Sequence, residues 1–353
     1  SYMKMVYKYP INEFPYDYLI HENGRRSKQD PEFEIIDTGI FNHNNYFDIF
    51  IEYAKGNEED ILIRITAHNR SSHKAPLVIL PEIWFRNNWK WGYNTYKPQL
   101  FQKGNNNIGI SHERLGILNF YSRNNSDSLF CENETNIERL YNHPKTGDYY
   151  KDGINHFVTY GDQTINPNKT GTKASFHIDT EIEAGETKTF DFRLTNEEFE
   201  NAFDNFDALF ELRIQEANDF YNLVQKDITN EDEKNVQRQA FAGLLWNKQF
   251  YHYNVGKWLK GDPHQHAPRN FNHYVRNTEW QHLHNKDIIS MPDKWEYPWY
   301  ATWDLAFHCV PLALVDPQFS KDQLLLLTKE WYMHPNGQMP AYEWNFSDVN
   351  PPV

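Results

Sequence analysis

Asp304 and His308 stand four residues apart in the run PWYATWDLAFH at 298–308, and Tyr300 precedes Asp304 by the same interval. On a helix that spacing places 300, 304 and 308 along one face, with Trp303 and Phe307 flanking it. A carboxyl group set among rings loses hydration, so its charged form is penalised and its pKa rises. It can then hold a proton near neutral pH and deliver it to a departing oxygen, the task of a general acid. A charged His308 would oppose this by stabilising the carboxylate, so the expectation is a neutral His308 or one turned towards substrate.

The surroundings of Asp304 extend the pattern. Six of the eleven tryptophans, at 280, 295, 299, 303, 331 and 344, fall from position 280 onward, interleaved with Asp293, Glu296, Asn336, Gln338 and Glu343. Flat rings cover the apolar faces of a sugar, while carboxylates and amides pair with its hydroxyls. A single tryptophan is more often core than ligand, but the recurrence of polar partners beside these rings points to a carbohydrate site.

Such a site needs elements to position it. From about residue 32 to 195 the apolar pattern has a period near two, as in FEIIDT at 33–38, YFDIFIEYA at 46–54, DILIRITAHN at 60–69, PLVILPEIWF at 76–85 and KTFDFRLT at 188–195. Strands with one buried face and no long helix between them predict an antiparallel β-sandwich. After Asn196 the period changes, and 206–226, 231–252, 298–315 and 320–333 read as helices. Thr229 and Asn230 are plausible caps for the second helix and Pro298 suits the first turn of the third. The reading therefore divides the chain into a sandwich, 1–200, and a helical domain, 201–353. Residues 253–297 read as a long polar connection. The chain stops at NPPV after a dense aromatic stretch, with about four helices in hand, and is expected to be incomplete.

Composition excludes several classes. The formal charge of −14 disfavours a nucleic-acid partner, which would call for clustered Lys and Arg. No apolar run approaches the ~20 residues of a membrane helix. Cys131 and Cys309 lie far apart, so two buried thiols in a reducing, cytoplasmic compartment are expected rather than a disulfide. His264, His266, His273, His282 and His284 are dense, but neither His-x-His pair has the i, i+4 spacing of a helical zinc site. No metal or cofactor is expected.

KWEYPWYATWDLAFH at 294–308, with the DPQFSKDQLLLLTKEWYMHPNGQMPAYEWNFSDVNPPV that ends the chain, closely resembles the bacterial branch of glycoside hydrolase family 63, a family of inverting exo-glucosidases and mannosylglycerate hydrolases. The resemblance reaches back through RQAFAGLLWNKQFYHY at 238–253 to SYMKMVYKYP at the start, and its specificity is highest over 291–353. It implies a β-sandwich followed by an (α/α)6 barrel, here only the barrel's first part. It also implies Asp304 as general acid, with Tyr297, Trp299, Trp303, His308, Gln338, Glu343 and Trp344 lining the subsite for the terminal sugar. The family's general base is a Glu near the far end of the barrel, and no residue here matches it.

Inverting hydrolysis requires two carboxyl groups about 6.5–9.5 Å apart, with a water between the base and the anomeric carbon. Glu343, on a different element, could face the same pocket, but the family pattern makes it a sugar contact, so the base is expected outside this chain. The substrate would be an oligosaccharide or small glycoside with an α-glucosidic or α-mannosidic bond. Two alternatives remain. An inverting sugar phosphorylase needs only one protein acid but also a phosphate cradle, which the residues near Asp304 do not clearly supply; a non-catalytic carbohydrate-binding protein needs only rings and amides.

Overall fold

The computed structural model describes residues 1–268, 275, 277–297, 299 and 301–339. Pro298, Tyr300, His273, Glu343 and Trp344 lie outside them. The chain forms two compact units: Ser1–Asn87 with Tyr96–Ala217, and Asn88–Thr95 with Asn218–Val353.

The first unit is built on twelve strands: β1 (Tyr2–Pro10), β2 (Tyr46–Asn57), β3 (Asp60–Asn69), β4 (Ala75–Ile79), β5 (Glu82–Trp84), β6 (Gln99–Gly104), β7 (Asn107–His112), β8 (Gly116–Ser122), β9 (Asp127–Cys131), β10 (Thr170–Gly171), β11 (Lys173–Ile182) and β12 (Thr187–Thr195). Eight of them form an antiparallel sheet in the order β1-β2-β3-β12-β8-β7-β6-β10, and the other four form a second sheet around β11. Alternation in β3 and β4 sends every second side chain inward. Phe47, Ile65, Leu100, Ile108, Phe120, Phe190 and Phe192 of the first sheet then pack in one core with Leu77, Ile79, Phe130, Phe176 and Ile178 of the second. Each such large side chain, fully buried, contributes about 1.5–3 kcal/mol. Three helices, α1 (Tyr16–Arg25), α2 (Ile137–Tyr141) and α3 (Gly153–Tyr160), lie between strands.

Two expectations for this half are corrected. Residues 33–38 form no strand. Glu34 and Asp37 close a reciprocal capping box around a 3-10 turn, Ile35–Thr38, and Gly39 ends it at φ 72°. The run 76–85 is two strands rather than one, because Pro81 has no N–H to give a ladder. β4 and β5 nevertheless pair with successive parts of the same strand, β11.

α4 (Phe206–Val224) starts in the first unit, where Phe206 and Phe210 share a core with Ala54 and Leu62. The second unit continues with α5 (Glu231–Trp246), β13 (Lys248–Asn254), α6 (Val255–Lys260), β14 (His284–Ser290), α7 (Thr302–Val315) and α8 (Pro317–Leu327). Asn230 caps α5, its side chain accepting from the N–H groups of Asp232 and Glu233. That helix ends at Trp246 instead of continuing to 252. Lys248–Asn254 is a strand because its partner, β14, pairs with it residue for residue, and the same pair turns part of the expected 253–297 connection into sheet. The expected helix 320–333 is α8 followed by a separate 3-10 turn, Glu330–Tyr332. Asp316 caps α8 and Pro317 occupies its first turn.

Residues 88–95 belong with the second unit: His264 donates its main-chain N–H to Trp91 O at 3.2 Å. Gly92 lies at φ 89°, and a Cβ there would meet the His264 ring at 2.8 Å, so a side chain at 92 would disrupt this turn. Cys131 and Cys309 are both free and buried, as expected. Among the described residues no helix is long and apolar enough to cross a membrane.

Candidate functional site

α7 begins at Thr302, after an extended Ala301 at φ −135° and ψ 129°. The helix expected from 298 therefore starts later, and only Asp304 and His308 of the predicted face are seen on it. Its inner side, Thr302, Leu305, Cys309 and Leu312, is buried. Leu305 and Cys309 enter a core with Trp280, Leu283, Ile289, Met291, Leu326, Leu327 and Tyr332. Ser320 of α8 bonds across to α7, donating to Cys309 O at 2.7 Å. These contacts fix the helix that carries Asp304.

The Asp304 carboxyl sits partly buried in the first turn of α7. Burial pushes its pKa above the ordinary aspartate value, outweighing the opposing pull of His308 and of its own main-chain N–H. His308 shifts the other way. Burial favours its neutral form, against the attraction of Asp304 and a hydrogen bond at Ser290. Burial thus favours the uncharged form of both groups. His308 Nδ1 lies 3.0 Å from Ser290 Oγ.

The rings of this segment differ in their settings. Trp303 and Phe307 stand edge to face, with centroids 6.2 Å apart, and both are exposed. Tyr297 and Trp299 form a second edge-to-face pair at 5.1 Å. Trp295 is 89% exposed, whereas Trp280 is fully buried and donates its indole N–H to Met333 O at 2.9 Å. Trp280 is thus core and holds the following turn in place. Gln338 closes that turn: its carbonyl accepts from His334 N at 2.9 Å, and its N–H donates to Asn336 Oδ1 at 2.8 Å. Asp293 is occupied as well, accepting from the N–H groups of Trp295 and Glu296, which hold its pKa below the usual range.

The described residues thus bring together Asp304 with His308, Trp303 with Phe307, and Tyr297 with Trp299, and they place Gln338 in a separate turn. Glu343 and Trp344 fall outside the described residues. Ser290 and Gln323, which support His308 from a strand and from α8, were absent from the sequence reading. No spacing rule links 290, 308 and 323, and only the packing of β14 against both helices does. Among the described residues no group of three or more His, Cys, Asp or Glu could hold a metal ion. His282 bonds main-chain carbonyls of Glu330 and Met333 instead.

No protein-family model matches the chain. It is 40% identical over 405 residues to the uncharacterized protein YMR196W of Saccharomyces cerevisiae, a match that spans 100% of this chain and 37% of the yeast protein. The chain thus spans little more than a third of that relative's length. Among solved structures it is similar to a human-microbiome protein assigned as a kojibiose phosphorylase, at 14% identity over 60% of this chain and 23% of that one, with a TM-score of 0.26. It is also similar to the polysaccharide lyase BACCELL_00875, at 10% identity over 47% and 22% of the two chains, with a TM-score of 0.25. Both scores lie well below those of chains that share a whole fold.

Proposed function

We propose that this chain carries the proton-donating half of an inverting exo-glycosidase, with Asp304 as general acid and an α-glucoside or α-mannoside as substrate. The observation that carries the reading is the opposed setting of two neighbouring titratable groups on one helix face, a carboxyl whose pKa burial raises and an imidazole whose pKa burial lowers. Asp304 donates its proton to the glycosidic oxygen as the C1–O bond breaks and the bonding pair leaves with that oxygen. A water attacks C1 from the opposite face and passes its proton to a second carboxylate. That base is assigned to a residue outside 1–353.

The exposed rings supply the apolar side of sugar binding. Trp303 and Tyr297 would cover the C–H faces of the terminal sugar, with Trp299 backing Tyr297, and His308, Gln338, Glu343 and Trp344 complete the proposed subsite. Ring contacts of this kind are worth about 0.5–1.5 kcal/mol beyond their buried area. Trp303→Ala in the full-length protein is therefore expected to raise KM about tenfold while changing kcat less, and steady-state kinetics checks both.

α7 also supports placement in a barrel. Beyond its buried side it exposes Trp303, Phe307, Val310 and Leu314, spaced by four, three and four. A helix apolar on both sides is suited to an inner layer, as in the (α/α)6 barrel we assign to the complete domain. A cytoplasmic location fits two free, buried thiols.

The pH dependence follows from the shifts. The acid must be protonated, so activity falls as pH rises through the Asp304 pKa, which lies above the ordinary aspartate value. The base must be ionised, which gives the acid-side limb. The full-length protein should show a bell-shaped kcat/KM profile, and Asp304→Asn should abolish its basic limb. A basic limb that persists in the variant would assign the proton to another group.

A further inference from the structure

One edge of the larger sheet is open along its whole outer strand. β1 stands at the end of the strand order and, among the described residues, pairs with β2 alone. At both ends of that ladder the odd-numbered residues bond to β2: Ser1 O accepts from Lys55 N at 3.1 Å, and Ile11 N donates to Asn45 O at 3.2 Å. The register between them has no break. Main-chain groups of an antiparallel strand alternate between its two edges, so the N–H and C=O of Lys4, Val6 and Lys8 turn to the open side. A nine-residue edge of this kind is a template for an added strand.

The side chains of β1 divide between the two faces. Met3, Met5, Tyr7 and Tyr9 stand opposite Tyr53, Ile51, Ile49 and Phe47, on the side of the sandwich core, yet all four are exposed. Met3 also lines an apolar cleft of about 530 Å³ with Tyr53, Ile61, Ile63, Ile83 and Leu194, a volume within the range of clefts that hold a ligand. On the other face Lys4 pairs with Glu52 at 3.9 Å and Lys8 with Asp48 at 3.1 Å, and about half of each lysine side chain stays exposed. β2 thus shows what β1 accepts as a neighbour. Asp48 and Glu52 of that strand meet the two lysines, and the apolar Phe47, Ile49 and Ile51 alternate with them.

We propose that the open edge of β1 binds an extended segment of a partner protein in which large apolar residues alternate with Asp or Glu, taken up as an added antiparallel strand. Main-chain bonds to Lys4, Val6 and Lys8 hold such a segment, and alternate side chains give it specificity. Its acids meet Lys4 and Lys8 on one face. Its apolar side chains cover Met5 and Tyr7 on the other, and the one beside Met3 enters the cleft. Charge selects against a second copy of this chain, because β1 contains two lysines and no Asp or Glu. Two copies paired with their apolar faces together would gather four lysines on one face, and like charges placed opposite each other are destabilising. Edge lysines commonly deter such self-pairing, and the same charges favour an acidic partner. The proposal is independent of the glycosidase reading.

The test uses the full-length protein and a fluorescein-labelled peptide that copies residues 46–54, YFDIFIEYA, with fluorescence anisotropy as the readout. Saturable one-to-one binding is expected. Val6→Pro should weaken it about tenfold or more, since proline removes the central outward N–H and blocks the edge. The β1–β2 ladder does not use that N–H, so the strand itself should survive. Lys4→Gln should weaken binding roughly two- to fivefold, and a peptide with lysine at both acidic positions should bind less well than the original. A peptide N-methylated on the edge that faces β1 should not bind, which decides the matter if the proline variant does not fold. Residue-resolved hydrogen exchange should show the Lys4, Val6 and Lys8 amides fast in the free protein and slowed by the peptide. Absence of binding, or equal binding by Val6→Pro or by the lysine peptide, would overturn the proposal. So would slow exchange at those three amides without peptide, which would mean that another segment of the same protein covers the edge, or a dimer that Val6→Pro converts to monomer, which would mean that a second copy does.

Discussion

Asp304→Asn in the full-length protein is expected to lower kcat for a glycoside substrate by about 10²–10⁴-fold, the range that a positioned general acid supplies, with KM changing little. Asn keeps the size of the side chain and its place in the first turn of α7, so binding by the surrounding rings survives. What it loses is the proton. Asp304 suits that role because burial outweighs the two influences that favour its charge, and because His308, itself kept neutral by burial, adds no fixed positive charge beside it. The ratio of kcat values, with KM measured alongside, checks this. A variant with wild-type kcat would make the protein a binder, or would place the acid elsewhere.

Asp60→Ala is expected to destabilise the first unit by about 3–5 kcal/mol, the cost of removing one partner from a buried ion pair. Arg193 and Asp60 are almost fully buried and meet in a two-pronged contact at 2.8 and 2.7 Å. Arg193 also donates to Ala202 O and Asn205 Oδ1 and stacks on the Phe199 ring at 4.3 Å. It therefore fastens the strand β12 to the segment that leads into α4. Without Asp60 its charge remains buried and half satisfied. Asp207, by contrast, is largely exposed, although it pairs with Arg64 and Arg123. Its Asn variant should cost under about 1 kcal/mol. Denaturant titration that follows the first unit's own transition separates the two, and comparable losses would refute the distinction drawn between them.

The sequence was most readable where a single period governs a segment. β3 has the bounds expected for it because its burial alternates over most of its length, with one break at Ile63–Arg64, and α5 starts at the cap that Asn230 supplies. It was least readable where a local device overrides composition. Ile35 and Ile36 suggest a strand, but Glu34 and Asp37 cap a turn there. Lys248–Asn254 carries apolar spacing compatible with a helix, and only its pairing with β14, about forty residues on, makes it a strand.

The same division holds at the candidate site. Asp304 and His308 were readable as an i, i+4 pair, whereas Ser290 and Gln323 depend on contacts between elements that no local pattern encodes. Trp280 shows the limit of counting rings, since the indole nearest the start of the aromatic cluster is entirely core.

The most direct test of the central claim is the configuration of the sugar first released. The full-length protein should be incubated with α-glucosides and α-mannosides, including mannosylglycerate and glucosylglycerate, and followed by proton NMR from the first minutes, before mutarotation mixes the anomers. The account predicts that the β-anomer appears first, and that Asp304→Asn suppresses its formation. Early release of the α-anomer would contradict the inverting mechanism, and release at wild-type rate by the variant would contradict the role given to Asp304.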